Sequence, residues 1–470
     1  KDATGNAGQQ KTSTTDGTLV KADRSKPSVG VSIASSKNAR STLANTKQQD
    51  GSTKIKLPKG WDSKSNAATT GNKVTLTITA NEFIYKPTVV IKVGGQQVKN
   101  TVTVKDTKEG ESQANANKIW TAEYTAHKDD KDGAAVAFTL TYKDAAGNNG
   151  DTKTSVTDGT SVYTDKTKPS VTVSIASSNS AKTTIADRTR SDGKTALVRP
   201  KGWGAKTNVA KTGDKVTLTI TASEFIFRPT VVFKSGSKDI KNQGSSIKYL
   251  DTKKDDQNEA NKIWTAVYTS HADDTDGPVT FTVNYKDVVS IAGSQVTSVN
   301  DGTSVIVDQT APKVTAIAIA SSNSAKATIA NLKRSDGKTA LVRPKDWDAK
   351  RNVAKTGDVV TLSITADEFI QIPVVVFKSG SKDIGNKNSI TYRDTKEGES
   401  QANANKIWTC KYTAHKDDTD GIVTFTVNYK DAAGNAGQQK TGVTDGTSVL
   451  SDKSRPQMSS ITLASSSNIK

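Results

Sequence analysis

The strongest constraint on this chain is that its sequence is written three times over. Four proline entries, Ser-Lys-Pro27, Thr-Lys-Pro169, Thr-Ala-Pro312 and Ser-Arg-Pro456, each lead into a segment ending in Ala-Ser-Ser, at steps of 142, 143 and 144 residues. Tryptophan gives the same period independently: Trp120, Trp264 and Trp408 are 144 apart each time, and Trp61, Trp203 and Trp347 are 142 and 144 apart. All three histidines, His127, His271 and His415, fall at one repeat position. A unit of about 143 residues is therefore present three times, in line with the roughly three domains that 470 residues suggest.

The boundaries follow as 25–166, 167–309 and 310–453. Residues 1–24 match 430–453 and are expected to be the last strand of a preceding unit, while 454–470 are expected to be the first strand of a following one. Two explanations compete: a fragment of a longer array, or a subunit whose open ends complete each other head to tail by strand addition.

Within a unit the hydrophobic period is two, which is the strand period. Val74, Leu76, Ile78 and Ala80 face one way and Thr75, Thr77 and Thr79 the other, a half-buried antiparallel strand with Thr outside. Trp120, Ala122 and Tyr124 form a second inward row, and Val136, Phe138, Leu140 and Tyr142 a third. Seven strands are expected per unit, at roughly 28–34, 73–80, 87–93, 97–104, 117–126, 135–143 and 152–164 in the first. Seven short alternating strands between Gly, Asp, Asn and Pro turns predict an all-β chain, a tandem array of antiparallel two-sheet sandwiches. Apolar residues make up only 33% and aromatics 5%, so the cores must be small and separate.

The residues also carry a resemblance. Asp-Lys-Thr-Lys-Pro-Ser-Val-Thr-Val-Ser-Ile-Ala-Ser-Ser-Asn (165–179), Thr-Gly-Asp-Lys-Val-Thr-Leu-Thr-Ile-Thr-Ala-Ser-Glu (212–224), Asn-Lys-Ile-Trp-Thr-Ala-Val-Tyr-Thr (261–269), Asp-Ala-Ala-Gly-Asn (431–435) and Thr-Asp-Gly-Thr-Ser-Val (444–449) together resemble the bacterial Ig-like repeat of large surface adhesins. The resemblance implies Ig-like sandwiches in an extracellular or cell-surface array, and no enzymatic activity. A basic insertion, Arg-Ser-Asp-Gly-Lys-Thr-Ala-Leu-Val-Arg-Pro-Lys-Gly-Trp (190–203), departs from that pattern and helps to explain a unit longer than the roughly 100 residues of a plain Ig domain.

Charge and chemistry narrow the function. The chain carries +18, which suits an anionic neighbour such as an acidic polysaccharide, but its Lys residues are scattered and form no block, which favours a well-solvated surface. No specific nucleic-acid contact is expected, and no apolar run is long enough to span a membrane. A single His per unit without a neighbouring Cys or His disfavours zinc, and no nucleophile, base or phosphate loop converges, so no enzyme is expected. The lone Cys410 occupies the slot of Ala122 and Ala266 in an inward row and should be buried and inert. The absence of any Asn-x-Ser/Thr sequon fits a bacterial or unglycosylated surface.

Two features remain as site candidates. The acidic loop containing Asp129, Asp130 and Asp132 recurs as Asp273, Asp274 and Asp276, each set followed by Gly. Such a loop either turns between two strands or supplies oxygens to Ca²⁺, which takes six to eight of them. In a sandwich it lies at the C-terminal pole. There the linker Asp165 and the next unit's Glu224 and Asp287 could join it, as could Asp308, Glu368 and Asp431 one repeat later. No other cofactor is expected. Separately, Trp61, Trp203 and Trp347 lie in Pro-Lys-Gly-Trp or Pro-Lys-Asp-Trp turns beside basic residues such as Arg199 and Arg343. They suit a sugar or acidic polymer, another domain or copy of the chain, or a local lid.

Overall fold

The computed structural model describes all residues except 1–3, 5–6, 8–10, 38–54, 59–60, 112–115, 182–197, 201, 241–246, 257, 326–330, 340–341, 345–346, 348, 385–389, 398, 400–401 and 465–470. The alternating Val/Thr segments are strands because β-branched residues suit a pleated, half-buried surface. Lys73–Ala80 shows it directly: Val74, Leu76 and Ile78 are fully buried while the Thr between them point outward.

In the first unit the strands are β1 (Val29–Ser35), β2 (Ser65–Ala68), β3 (Lys73–Ala80), β4 (Thr88–Val93), β5 (Gln96–Gln97), β6 (Thr103–Asp106), β7 (Ile119–Thr125), β8 (Val136–Thr141) and β9 (Ser161–Thr164). One sheet is antiparallel in the order β1-β3-β7-β6. The other combines β5-β4-β8 with the parallel pair β2-β9, joined by a bridge between Ala135 and Tyr163. In the second and third units the same strands make one continuous five-stranded sheet. The chain is thus an all-β tandem array of Ig-like sandwiches.

The sandwich is richer than seven strands. The short strand Ser65–Ala68 and its equivalents Thr207–Ala210 and Arg351–Ala354 carry no long alternating pattern, and they are held by parallel pairing to a strand about 96 residues away. The expected strand 97–104 divides into β5, on one sheet, and β6, on the other. The expected strand 152–164 crosses between sheets: Lys153 bridges to Leu140, Thr157 bonds to Val31, and only Ser161–Thr164 forms β9. Among described residues, 11–24 and 455–464 form no strand, and Leu19, Val20 and Leu463 are exposed. A strand needs a paired edge, and the described residues hold no further sheet for either segment to join.

Each core is organised around its large aromatic. Trp120, Trp264 and Trp408 are 6%, 7% and 4% exposed. Each indole Nε1 donates to a carbonyl three residues earlier, that of Asn117, Asn261 or Asn405, at 3.2 Å. Those three asparagines have φ of 59°, 62° and 62°, left-handed values that Asn tolerates better than most residues. An aspartate holds each one in place, Asp251 accepting from the Asn261 amide N–H at 2.7 Å in the second unit.

Trp264→Ala should destabilise the second unit by about 3–5 kcal/mol, the usual cost of deleting a buried indole. Calorimetry of the whole chain should show one unit melting early. Cys410 is fully buried and its thiol is pushed up to about 12 by burial. It should stay unreactive toward a maleimide in native buffer and label stoichiometrically in denaturant; rapid native labelling would contradict the packing.

Candidate metal centre at the domain joints

The acidic loop resolves into three different jobs. The second aspartate caps its own turn: Asp130, Asp274 and Asp418 accept from the backbone N–H of His127, His271 and His415 at 2.7, 2.9 and 2.8 Å. The first stays at the surface, where Asp129 pairs with Lys99 at 2.7 Å and Asp273 lies beside the His271 ring at 3.4 Å. Asp129, Asp130, Asp273 and Asp274 are therefore taken by turn and surface contacts, and they leave the expected ligand set. The third aspartate straps the linker. Asp132 accepts from the Lys166 N–H at 2.6 Å and from the Thr167 hydroxyl, and Asp276 accepts from the Gln309 N–H at 2.6 Å and from the Thr310 hydroxyl.

That strap presents the linker aspartate to the next unit. Asp165 donates its N–H to the Ala68 carbonyl at 3.0 Å, and Asp308 does the same to Ala210 at 2.9 Å, so each extends the end of its own sandwich. From the following unit come a glutamate just beyond the third strand and an aspartate just beyond the eighth. Three joints share this arrangement: Asp23, Glu82 and Asp144 at the first, Asp165, Glu224 and Asp287 at the middle, and Asp308, Glu368 and Asp431 at the third. Sequence reasoning passed over the first triad, although the repeat step leads from Asp165, Glu224 and Asp287 to it.

At the first and third joints one oxygen from each carboxylate lies within 4.8 Å of the other two. Oxygens bound to one Ca²⁺ at about 2.4 Å can be at most about 4.8 Å apart, so these sets match a shared hard cation. At the middle and third joints the electrostatics agree, whereas at the first burial of Asp144 is outweighed by the hydrogen bonds from Asn148 and the turn, which hold it below the usual carboxylate range. Burial, then the charges of Asp287, Glu224 and Asp132, push Asp165 up to about 8. Burial with Asp287 and Asp132 nearby brings Glu224 to about 7, and burial raises Asp287 to about 6. Asp308 and Glu368 both rise to about 7 through burial and each other's joint carboxylates, and burial raises Asp431 too. Carboxylates crowded out of water take up protons unless a cation compensates them.

Two of the tryptophan turns close the middle and third joints from outside. Trp61, Trp203 and Trp347 each donate a backbone N–H to the proline carbonyl three residues before, at 3.0, 3.1 and 3.2 Å. Trp61 stacks on Tyr163 with ring centroids 5.6 Å apart and, with Ile55 and Leu57, packs against Phe225, Val288 and Val289 of the second unit. Trp203 is 8% exposed in a cluster with Phe369, Ala432 and Ala433 of the third unit. Of the contacts open to these residues, packing on the next domain is the one realised, and the buried Trp203 ring offers no free face to a sugar. Trp347 and Arg199 are half-buried and Arg343 is exposed. The remaining cations of the second basic insertion, Arg188, Arg190, Lys194 and Lys201, lie outside the described residues. A side-chain bond repeats across the joint: Asn261 donates to the Lys56 carbonyl at 3.1 Å and Asn405 to the Val198 carbonyl at 3.4 Å.

No family model and no curated protein matches the chain. Among solved structures it is similar to the D1–D2 fragment of Rst, at 11% identity over 52% of this chain and 96% of that one, with a TM-score of 0.23. It is also similar to the Ig1–Ig3 ectodomain of mouse nectin-like molecule 4, at 9% identity over 84% of this chain and all of that one, again at 0.23. Among the described residues no helix is long and apolar enough to cross a membrane.

A pH dependence follows from the raised carboxylates. Their folded-state values exceed the unfolded ones, so without cation stability should be greatest below about pH 4 for these groups and should fall as pH rises toward about 8. Metal ligation needs the deprotonated form, so the calcium-induced gain should grow over the same range. Melting curves from pH 5 to 8, in chelator and in excess Ca²⁺, check both signs; parallel curves would contradict the assignment.

Proposed function

We propose that this chain is a segment of an extracellular, cell-surface stalk or filament. In this reading it acts through length, stiffness and joint geometry rather than catalysis. The observation that supports it most is the packing of the first and second units' Trp loops onto the next unit, Trp61 against Phe225 and Trp203 against Phe369. A flexible string of independent domains has no use for such contacts. Divalent cations, Ca²⁺ by ligand type, occupy the joint carboxylates and hold neighbouring sandwiches in register; in a calcium-rich medium outside the cell the joints are stiff. Other domains of the same protein are its principal partners.

The basic loops support a second, weaker role by charge alone. Lys333, Arg334, Lys338 and Arg343 of the third unit are all exposed, and acidic polysaccharide would be drawn to them. Such binding would weaken with salt, because exposed charges are screened beyond roughly 8 Å at physiological ionic strength.

Small-angle scattering of the whole chain tests the stalk reading. In Ca²⁺ the profile should be that of an extended rod of fixed length, and in chelator the maximum dimension should fall or its distribution broaden. Trp203→Ala should broaden it even in Ca²⁺ while leaving each unit's melting temperature within a few degrees. An identical profile in all three conditions would remove the joints from the function.

A further inference from the structure

The three joints are not chemically equal: the turn Asp-Ala-Ala-Gly-Asn of the first and third is Asp-Val-Val-Ser-Ile at the middle one, and the last of these changes replaces a hydrogen-bonding amide by an apolar side chain that packs on the interdomain cluster. At the third joint Asn435 donates its Nδ2 to the Asp431 Oδ2 at 2.8 Å and to the carbonyl of the linker residue Asp308 at 2.9 Å. At the first joint Asn148 does the same, to the Asp144 Oδ2 at 2.9 Å and to the Asp23 carbonyl at 3.1 Å. One amide thus ties the buried aspartate of a unit to the linker that enters it. At the middle joint the equivalent residue is Ile291. The turn is otherwise kept: the Asp287 N–H donates to the Ile291 carbonyl at 3.1 Å, as the Asp431 N–H does to that of Asn435. Ser290, with φ of 67°, takes the left-handed place of Gly434.

Losing the amide leaves a visible consequence. The Asp287 Oδ1 accepts from the N–H groups of Val289 and Ile291 at 2.9 and 2.8 Å, while its Oδ2, in a fully buried residue, has no partner. An ionised oxygen left so has lost its hydration without a replacement partner. Lys37 acts on Asp287 through its charge but makes no hydrogen bond to that oxygen. Nothing draws the carboxylates together either: the closeness of 4.8 Å reached by the other two triads is not met here. Instead a cleft of about 520 Å³ opens beside them, lined by Trp61, Tyr163, Asp132, Asp165 and Glu224 among others.

We infer that the middle joint is the cation-closed joint of this chain, with Asp287 Oδ2, Asp165 and Glu224 as the ligands a divalent cation draws together, and that the Asn148 and Asn435 amides are latches that hold the other two joints without it. This rests on the reading of the joints as calcium sites and adds to it an order of dependence. A cation at the third joint adds to an existing bond between unit and linker; at the middle joint it supplies the missing one.

The test uses the full 470-residue chain with dye pairs across each joint, Lys92→Cys with Lys234→Cys for the middle and Lys234→Cys with Lys378→Cys for the third. These lysines are exposed at equivalent positions, and the native Cys410 is buried. On adding Ca²⁺ the middle-joint distance distribution should narrow at least threefold more than that of the third joint. Ile291→Asn should abolish most of that response, and Asn435→Ile should transfer it to the third joint, so the proposal survives a folding failure of either variant. Asp287→Asn should remove the middle-joint response while each unit still melts cooperatively. Equal responses at both joints, or a middle-joint response unchanged in Ile291→Asn, overturn the latch. Calorimetry separates the two levels: no calcium uptake by the parent chain overturns the calcium reading of the joints, whereas uptake with equal responses overturns only this inference.

Discussion

In the second and third units a left-handed asparagine joins the inside of the sandwich to the unit before it. The carbonyl of Asn261 receives the indole N–H of the core Trp264, and its backbone N–H is held by Asp251. Its side-chain amide reaches out to the Lys56 carbonyl in the loop of the preceding unit. Asn405 repeats all three contacts, with Trp408, Asp394 and Val198. The conformation is costly for most side chains and inexpensive for Asn, and it aims three polar groups in three directions from one short turn. Core packing, the turn and the interdomain contact therefore share a support, and a unit whose core loosens also loses its grip on its neighbour.

Around that support the joints combine two opposed effects. Apolar loops, Trp61 on Phe225 and Trp203 on Phe369, bring the sandwiches together and exclude water. The same exclusion makes the carboxylates beneath them expensive to ionise, as the upward shifts of Asp165, Glu224, Asp308 and Glu368 record. A purely structural contact would be better served by apolar residues there, since burying like charges works against association. Their retention at both joints makes sense where an ion completes the contact, which couples the geometry of the array to the solution around it.

Much of the framework could be read from the chain. The strand faces through Val74, Leu76 and Ile78 and the buried slots of Trp120 and Cys410 follow from period-two alternation and a 143-residue step. What escaped was short or long-range. Ser65–Ala68 is a strand only because Ser161–Thr164 lies alongside it, and four residues hold too little pattern to announce that. The acidic loop looked like one ligand set because its aspartates are adjacent, but successive residues in a turn point in different directions. One caps the turn, one meets solvent, and only the third faces the linker.

Sequence by itself determined the repeat, the sandwich class, the inward rows and the presence of carboxylates at each domain boundary, because these depend on local alternation and on spacing that recurs. Tertiary structure alone decided where the tryptophan loops go, since an aromatic beside lysines is equally suited to solvent, sugar or another domain until a neighbouring apolar surface is placed against it. It also decided what Ile291 means. In the sequence it is one of four departures from a repeated turn; in the fold it removes the amide that elsewhere spans 2.8 Å to a buried carboxylate and 2.9 Å to a linker carbonyl, groups 123 residues apart in the chain.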